Sequence, residues 1–322
     1  MIKIMDNKNN RYVPAKKSGR FECSVHEVKE GFFWATAFSL VKSTINRFRV
    51  REQVDWLIPE NPVERSQELA VTWIGHSTVL IQAGDVNILT DPIFGAASVL
   101  FPRVIKPGIR LEQLPLIDVV LISHNHYDHM EASAITYLAK KNPSIKFLVP
   151  QGDKAWFLKR GIRNVFECLW WEGHTMGDKA TCTFLPAIHW TQRRLRDRNK
   201  SLWGSWMIEV AGKTVYFGGD TAFGEHFNTI AKEYPSIDLA ILPISPCEPR
   251  ESMKHAHMDA LEAIQAFVAL GAHQFIPIHW GTFRFGNESA HSAIDRLVLG
   301  WCKNQLDEAK LVIPKAGKRA SL

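Results

Sequence analysis

The chain has 322 residues, 46% of them hydrophobic and 22% charged, which is ordinary for a soluble globular protein and enough for one large α/β domain or two smaller ones. Its net charge of +6 leans toward anionic partners: phosphate esters, nucleic acid or an anionic membrane surface. Five cysteines, an odd number with no Cys-x-x-Cys pair, argue against a disulfide framework or a sulfur-ligated metal, and no run is apolar enough to span a bilayer.

Residues 1–20 are polar and basic and read as a flexible arm. The opening ten residues lack the apolar run of a secretory signal, and with reduced thiols this points to a cytoplasmic protein. Across residues 31–57, Phe32, Phe33, Trp34, Phe38, Val41, Ile45, Phe48 and Val50 recur at broadly helical spacing, with Lys42, Arg47, Arg49 and Arg51 between them. Such a basic amphipathic helix either covers its own domain or lies on a membrane. Residues 1–68 are therefore taken as an arm and covering segment, and residues 69–322 as the main domain.

From residue 69 short β-rich runs alternate with turns. Strands are predicted at 70–74, 78–82 and 86–90, punctuated by Gly75 and Gly84-Asp85, as an antiparallel meander. A buried strand at 118–122, a helix at 131–141 and a strand at 145–149 follow. Further strands are predicted at 165–169, 181–185, 205–210, 213–217, 238–242 and 275–278, and helices at 153–160, 224–233 and 258–270. Strands mixed with helices over this length suggest an α/β sandwich of two sheets with helices on the outer faces.

Residues 121–130 read Leu-Ile-Ser-His-Asn-His-Tyr-Asp-His-Met. His124, His126, Asp128 and His129 suit a divalent zinc, iron or manganese ion. Packing does not call for such a cluster, because an apolar core would not tolerate an uncompensated aspartate beside three imidazoles. Three more candidates follow apolar strands: His189 after Phe184-Leu185-Pro186-Ala187-Ile188, Asp220 after Gly218-Gly219, and His279 after Phe275-Ile276-Pro277-Ile278. Strand ends are rigid mounts from which distant residues can converge on one ion.

This pattern resembles the metallo-β-lactamase superfamily, whose fold is an αββα sandwich of two mixed sheets flanked by helices. It is more similar still to the N-acylphosphatidylethanolamine-hydrolysing phospholipase D family. Carrying that likeness are Trp73-Ile74-Gly75-His76-Ser77-Thr78, Leu89-Thr90-Asp91-Pro92-Ile93-Phe94, the His124–His129 motif, Leu202-Trp203-Gly204-Ser205-Trp206, Glu248-Pro249-Arg250 and Ile278-His279-Trp280-Gly281-Thr282-Phe283. It covers roughly residues 70–285.

The resemblance implies two divalent ions, zinc by ligand type with iron and manganese open. His124, His126 and His189 would hold one, Asp128, His129 and His279 the other, and Asp220 would bridge them. Asp128 would also orient the attacking water or accept its proton. His257, before a predicted helix, would contact phosphate or protonate the leaving alkoxide; a plain helix-flanking histidine is the competing reading. His76 is expected to support the site rather than ligate. Asp91 either orients a ligand imidazole or caps the turn before Pro92. His174, His226, His273 and His291 are expected to be surface or core residues.

The implied activity is metal-dependent phosphodiester hydrolysis of phospholipase D type, in which a metal-bridging hydroxide cleaves an N-acylphosphatidylethanolamine-like glycerophospholipid. No Gly-x-Ser-x-Gly elbow competes with it. A hydrolase of a soluble phosphoester or sugar-phosphate lactone is the alternative. A purely structural metal is disfavoured, because structural zinc sites are usually closed by four ligands. Expected partners are a phospholipid or other anionic phosphodiester, a peripheral membrane contact and a homodimeric second copy. Nucleic acid is not expected, for want of an aromatic-interleaved basic stripe. The basic run Arg193-Arg194-Leu195-Arg196-Asp197-Arg198-Asn199-Lys200 is either a solvated loop or an anion-binding face.

Overall fold

The computed structural model describes residues 5–6, 11–22, 55–98, 101–285 and 288–322. Most of the predicted amphipathic segment at 31–57 lies outside the described residues. Thirteen strands build two sheets: β1 (Ala70–Gly75), β2 (Thr78–Ala83), β3 (Val86–Thr90), β4 (Val119–Leu121), β5 (Lys146–Pro150), β6 (Val165–Cys168), β7 (Gly173–Thr175), β8 (Ala180–Leu185), β9 (Ser205–Val210), β10 (Lys213–Phe217), β11 (Leu239–Pro243), β12 (Gln274–Ile278) and β13 (Arg319–Ser321). The first sheet runs β6-β5-β4-β3-β2-β1-β13 and the second β7-β8-β9-β10-β11-β12. Both are mixed. In the first, β3 to β6 are parallel and β13, β1, β2 and β3 alternate. In the second, β7 to β10 alternate and β10, β11 and β12 are parallel.

The period-2 alternation of side chains decides which face each strand turns to which layer. Val79, Ile81, Ile88, Val119, Leu121 and Leu148 point between the sheets, against Phe184, Trp206, Ile208 and Phe217. Their neighbours Leu80, Leu89, Val120, Phe147 and Val149 point outward and meet Ile135 and Leu138 of helix α1 (Ala132–Lys141). Strands buried on both faces read as continuous apolar runs, as β4 and β5 do.

Helices α2 (Lys154–Leu158), α3 (His226–Glu233), α4 (Arg250–Met253), α5 (Ala260–Leu270) and α6 (Ser292–Lys303) complete the described set. Helix α5 begins with a reciprocal capping box between Asp259 and Glu262 and stops at Gly271, whose φ of 63° only glycine adopts without cost. Phe267 of α5, Trp301 of α6 and Phe275 of β12 form the outer layer over the second sheet.

The expected flexible arm is corrected in part. Residues 11–22 are pinned to the domain: Phe21 is buried and its N–H donates to Asn199 O at 2.7 Å, Trp171 Nε1 donates to Tyr12 O at 2.6 Å, and Arg11 pairs with Glu233. Trp56 is likewise buried, 5.6 Å from Trp280, which stacks on Trp73 at 5.0 Å.

Candidate metal centre

One rim of the sandwich gathers the polar residues. His76 follows β1, Asp91 follows β3, the loop from His124 to His129 follows β4, His189 lies just past β8, Asp220 past β10 and His279 directly after β12. The first sheet thus supplies the loop, and the second sheet supplies His189, Asp220 and His279.

The seven residues singled out from the sequence come together in two sets. His124 Nε2 lies 2.8 Å from His126 Nδ1, and His189 Nε2 lies 3.3 Å from that same nitrogen. On the other side, His129 Nε2 is 3.4 Å from Asp128 Oδ2 and 3.3 Å from Asp220 Oδ2, while His279 Nε2 is 3.0 Å from Asp220 Oδ1. Asp220 sits between the sets, its Oδ2 also 4.0 Å from His124 Nε2 and 3.9 Å from His189 Nε2.

The outer partners fix which ring nitrogens face inward. The Ser123 N–H and hydroxyl donate to Asp91 at 2.7 and 2.6 Å. His124 Nδ1 meets the Ser123 hydroxyl at 2.9 Å, His129 Nδ1 donates to Asp91 Oδ2 at 2.8 Å, and His189 Nδ1 donates to Ala256 O at 2.9 Å. Each of these rings therefore spends its Nδ1 on the scaffold and turns Nε2 toward the centre, the arrangement that orients metal-binding histidines. Of the two readings of Asp91, the geometry answers to the orienting one.

The backbone is bent to reach this arrangement. His76, Asp91 and His279 all have positive φ, at 56°, 34° and 63°. Non-glycine residues occupy that region at a cost of order 1–3 kcal/mol each, and such strain clusters at functional sites. Gly219, at φ 57°, is required by close approach as well, because a Cβ there would lie 2.6 Å from the Ser123 Cβ.

Burial pushes the His126 imidazole down to about 3 and His189 to about 4, and lowers His124 well below the ordinary histidine value. Neutral imidazoles are the form that ligates a metal. Burial alone would lower His129 too, but the Asp220 and Asp128 carboxylates outweigh it and hold its value well above the usual range. Burial likewise opposes the charge on Asp220, yet His129 and His279 bring it well below the normal carboxylate value.

A cation fits these donors. His129 Nε2, His279 Nε2 and Asp220 Oδ1 are buried without a hydrogen-bond partner, although His279 Nε2 and Asp220 Oδ1 approach to 3.0 Å. All three atoms lie at one buried centre, within 3.3 Å of the Asp220 carboxylate or part of it. Leaving such groups unmatched costs about 1–3 kcal/mol apiece, a cost that a bound divalent ion removes.

His257 reaches the same centre, with its Nδ1 buried, unpartnered and 3.7 Å from Asp220 Oδ2. His76 lies closer to the ligand set than the sequence reading put it: its Nε2 is 3.0 Å from Asp128 Oδ2, and its carbonyl accepts the His279 N–H at 3.1 Å. His76, Asp128, His129 and His279 together form one cluster able to hold an ion. Sequence reasoning missed Arg193, whose Nη1 donates to the carbonyls of Asn125 and Met130 at 2.8 and 2.9 Å and so braces the metal loop from outside. It also missed the apolar walls Phe101 and Phe285, which lie beside the centre only in three dimensions. Of the four histidines set aside, His226 is buried and His174, His273 and His291 lie outside the cluster.

A family model described as the beta-lactamase superfamily domain matches residues 86–280, more than half of the chain. The chain belongs to the beta-lactamase superfamily. Within that superfamily it is 38% identical over 232 residues to N-acyl-phosphatidylethanolamine-hydrolyzing phospholipase D 1 of Caenorhabditis elegans, covering 68% of this chain and 65% of that protein. It is 32% identical over 229 residues to the mitochondrial N-acyl-phosphatidylethanolamine-hydrolyzing phospholipase D of Saccharomyces cerevisiae, covering 67% of this chain and 48% of the yeast protein. The chain thus spans less than two thirds of both of these relatives. In structure it is similar to Igni18, a metallo hydrolase from Ignicoccus hospitalis, with a TM-score of 0.61, 20% identity and coverage of 79% of this chain and 98% of the other. An isothiocyanate hydrolase from Delia radicum gut bacteria gives a TM-score of 0.62 at 15% identity, covering 79% and 99%. These two show the shared fold.

Proposed function

We propose that the chain is a metal-dependent phosphodiesterase of phospholipase D type, acting on an N-acylphosphatidylethanolamine-like glycerophospholipid at a membrane surface. The observation that carries this reading is a cavity of about 400 Å³ with a charged floor and apolar walls. Asp128, Asp220, His257 and His279 form the floor; Phe101, Trp190, Met253 and Phe285 line the sides. An amphiphile fits that division, with its phosphodiester on the floor and its chains along the rings. The nematode and yeast relatives carry the same activity in their names.

Two divalent cations, zinc by ligand chemistry, would be held by His124, His126 and His189 and by Asp128, His129 and His279, with Asp220 shared. Such a pair makes hydroxide available at neutral pH and offsets charge on the phosphoryl oxygens. The residues do the rest. Asp128, its carboxylate held by His76 and His129, would orient the attacking water. Burial holds His257 well below the ordinary histidine value, so it is neutral and suits a hydrogen bond to a phosphoryl or leaving oxygen. An anionic phosphodiester arriving beside it would raise its affinity for a proton and let it serve the leaving alkoxide. Among the described residues no helix is long and apolar enough to cross a membrane, so the membrane contact proposed is peripheral.

Metal analysis combined with a release assay on N-acylphosphatidylethanolamine, other phospholipids and a generic phosphodiester tests the proposal. Release of the N-acylethanolamine is the expected result. Cleavage of the generic ester alone would overturn the lipid assignment and favour a soluble phosphoester.

A further inference from the structure

Across Tyr127 from the metal centre lies a second cavity, of about 560 Å³, and Tyr127 lines both. Six cationic side chains face it: Lys159, Arg160, Arg193, Arg194, Arg196 and Lys200. Among the described residues, only two carboxylates, Asp153 and Asp197, share the wall. One oxygen of each is engaged elsewhere, while Asp153 Oδ2 is buried without a hydrogen-bond partner. Asp197 Oδ1 accepts the backbone N–H groups of Arg193 and Arg194 at 3.0 and 2.8 Å. Asp153 Oδ1 accepts from Asn125 Nδ2 at 2.9 Å and from the Ser201 hydroxyl at 2.8 Å, and burial pushes its carboxyl up to about 7, which weakens its charge near neutrality.

Among the described residues none of these six cations has a carboxylate within ion-pairing distance. Two of them are fixed rather than free to swing away. The Arg160 guanidinium lies 3.6 Å over the Trp156 ring and donates to Trp156 O, and the Arg193 guanidinium lies 5.2 Å from the same ring and 4.2 Å from Tyr127. Like charges held around one concavity repel, and an anion bound between them relieves that repulsion. Planar guanidinium groups already immobilised by stacking lose little freedom when they grip a phosphate.

We propose that this cavity is a phosphate-binding site separate from the metal centre, with Arg160, Arg196 and Lys200 as its principal donors. It takes a phosphate group carried either by an anionic lipid headgroup or by a soluble molecule. The site does not rest on the metal chemistry proposed above. Arg193 joins the two, because the same guanidinium that borders the cavity also holds the carbonyls of Asn125 and Met130 in the metal loop.

The test is calorimetric titration of inorganic phosphate into the metal-loaded chain, beside co-sedimentation with phosphatidylcholine vesicles with and without phosphatidic acid. The same measurements are made on the double variant R196E/K200E, whose folding is checked by circular dichroism. The expected result is a class of phosphate or vesicle binding that the double variant weakens about tenfold or more, while cleavage of a soluble generic phosphodiester is unchanged. Loss in the calorimetric arm assigns a soluble phosphate as ligand, and loss confined to phosphatidic acid vesicles assigns a lipid headgroup. Identical behaviour of parent and variant in both arms overturns the proposal.

Discussion

The Asp91 carboxylate accepts a hydrogen bond from His129 Nδ1 at 2.8 Å, and both side chains are fully buried. The same carboxylate receives the Ser123 hydroxyl, which in turn meets His124 Nδ1. One buried acid therefore sets the orientation of a histidine in each of the two ligand sets. Replacing Asp91 with Ala is expected to weaken metal affinity by about 10–100-fold, the usual effect of losing such an outer partner. Competition with a chromophoric chelator measures it; unchanged affinity would leave Asp91 as a turn residue only.

His257 separates chemistry from metal retention. His257→Ala should lower kcat by about 10²-fold or more, the lower range of a general acid–base contribution, with metal content by elemental analysis unchanged. Because the proposed role begins as a hydrogen bond from a neutral ring, His257→Gln should recover part of the loss. Full activity in the Ala variant would remove His257 from the reaction.

His226 offers a pH test away from the ligands. It is buried, its Nε2 3.3 Å from the Thr221 hydroxyl, and burial pushes it down to about 3. The unfolded chain takes up this proton near pH 6.5 and the folded chain only near 3, so folding stability is lost as pH falls through that window. His226→Phe should reduce the pH dependence of the urea midpoint between pH 6.5 and 4 by about one proton, roughly 1 kcal/mol per pH unit. Parallel curves for parent and variant would contradict the assignment.

Gly219 tests the close approach of the two sheets at the site. Gly219→Ala adds a Cβ 2.6 Å from Ser123 Cβ at a φ of 57°. Strain and overlap together should destabilise the chain by about 1–3 kcal/mol and displace Asp220. Thermal melts with and without zinc read both effects, since a displaced Asp220 also shrinks the gain from added metal. A variant that melts and responds to zinc like the parent would show the contact to be slack.

Most of the sandwich was legible because its strands carry their own signal. Val119-Val120-Leu121 and the alternation through β1 to β3 are buried on both faces, and Gly84-Asp85 marks the turn between β2 and β3. What escaped depends on partners rather than pattern. Gly173–Thr175 is three largely exposed residues, a strand only because Thr181 to Thr183 pair with it. Arg319–Ser321 is likewise defined by β1. Helix α6 does carry Ile294, Leu297 and Trp301 at helical spacing, but Gly300 interrupts the reading; a Cβ there would lie 2.5 Å from Leu261 of α5, so that glycine marks a helix crossing. At the site, the ligand types were visible in the His124–His129 loop. The closeness of His76 and the bracing by Arg193 were not, because both follow from which strand ends share a rim.

The division of the ligands between the sheets has a mechanical meaning. The loop after β4 belongs to one layer of the sandwich, while His189, Asp220 and His279 belong to the other. An ion gripped by both layers acts as a rivet through them, and the layers cannot part without breaking its coordination. Loaded chain should then resist proteolysis and urea by an amount that grows with the logarithm of the ratio of free metal to its dissociation constant. Stripping the metal would loosen the whole sandwich, not only silence its rim.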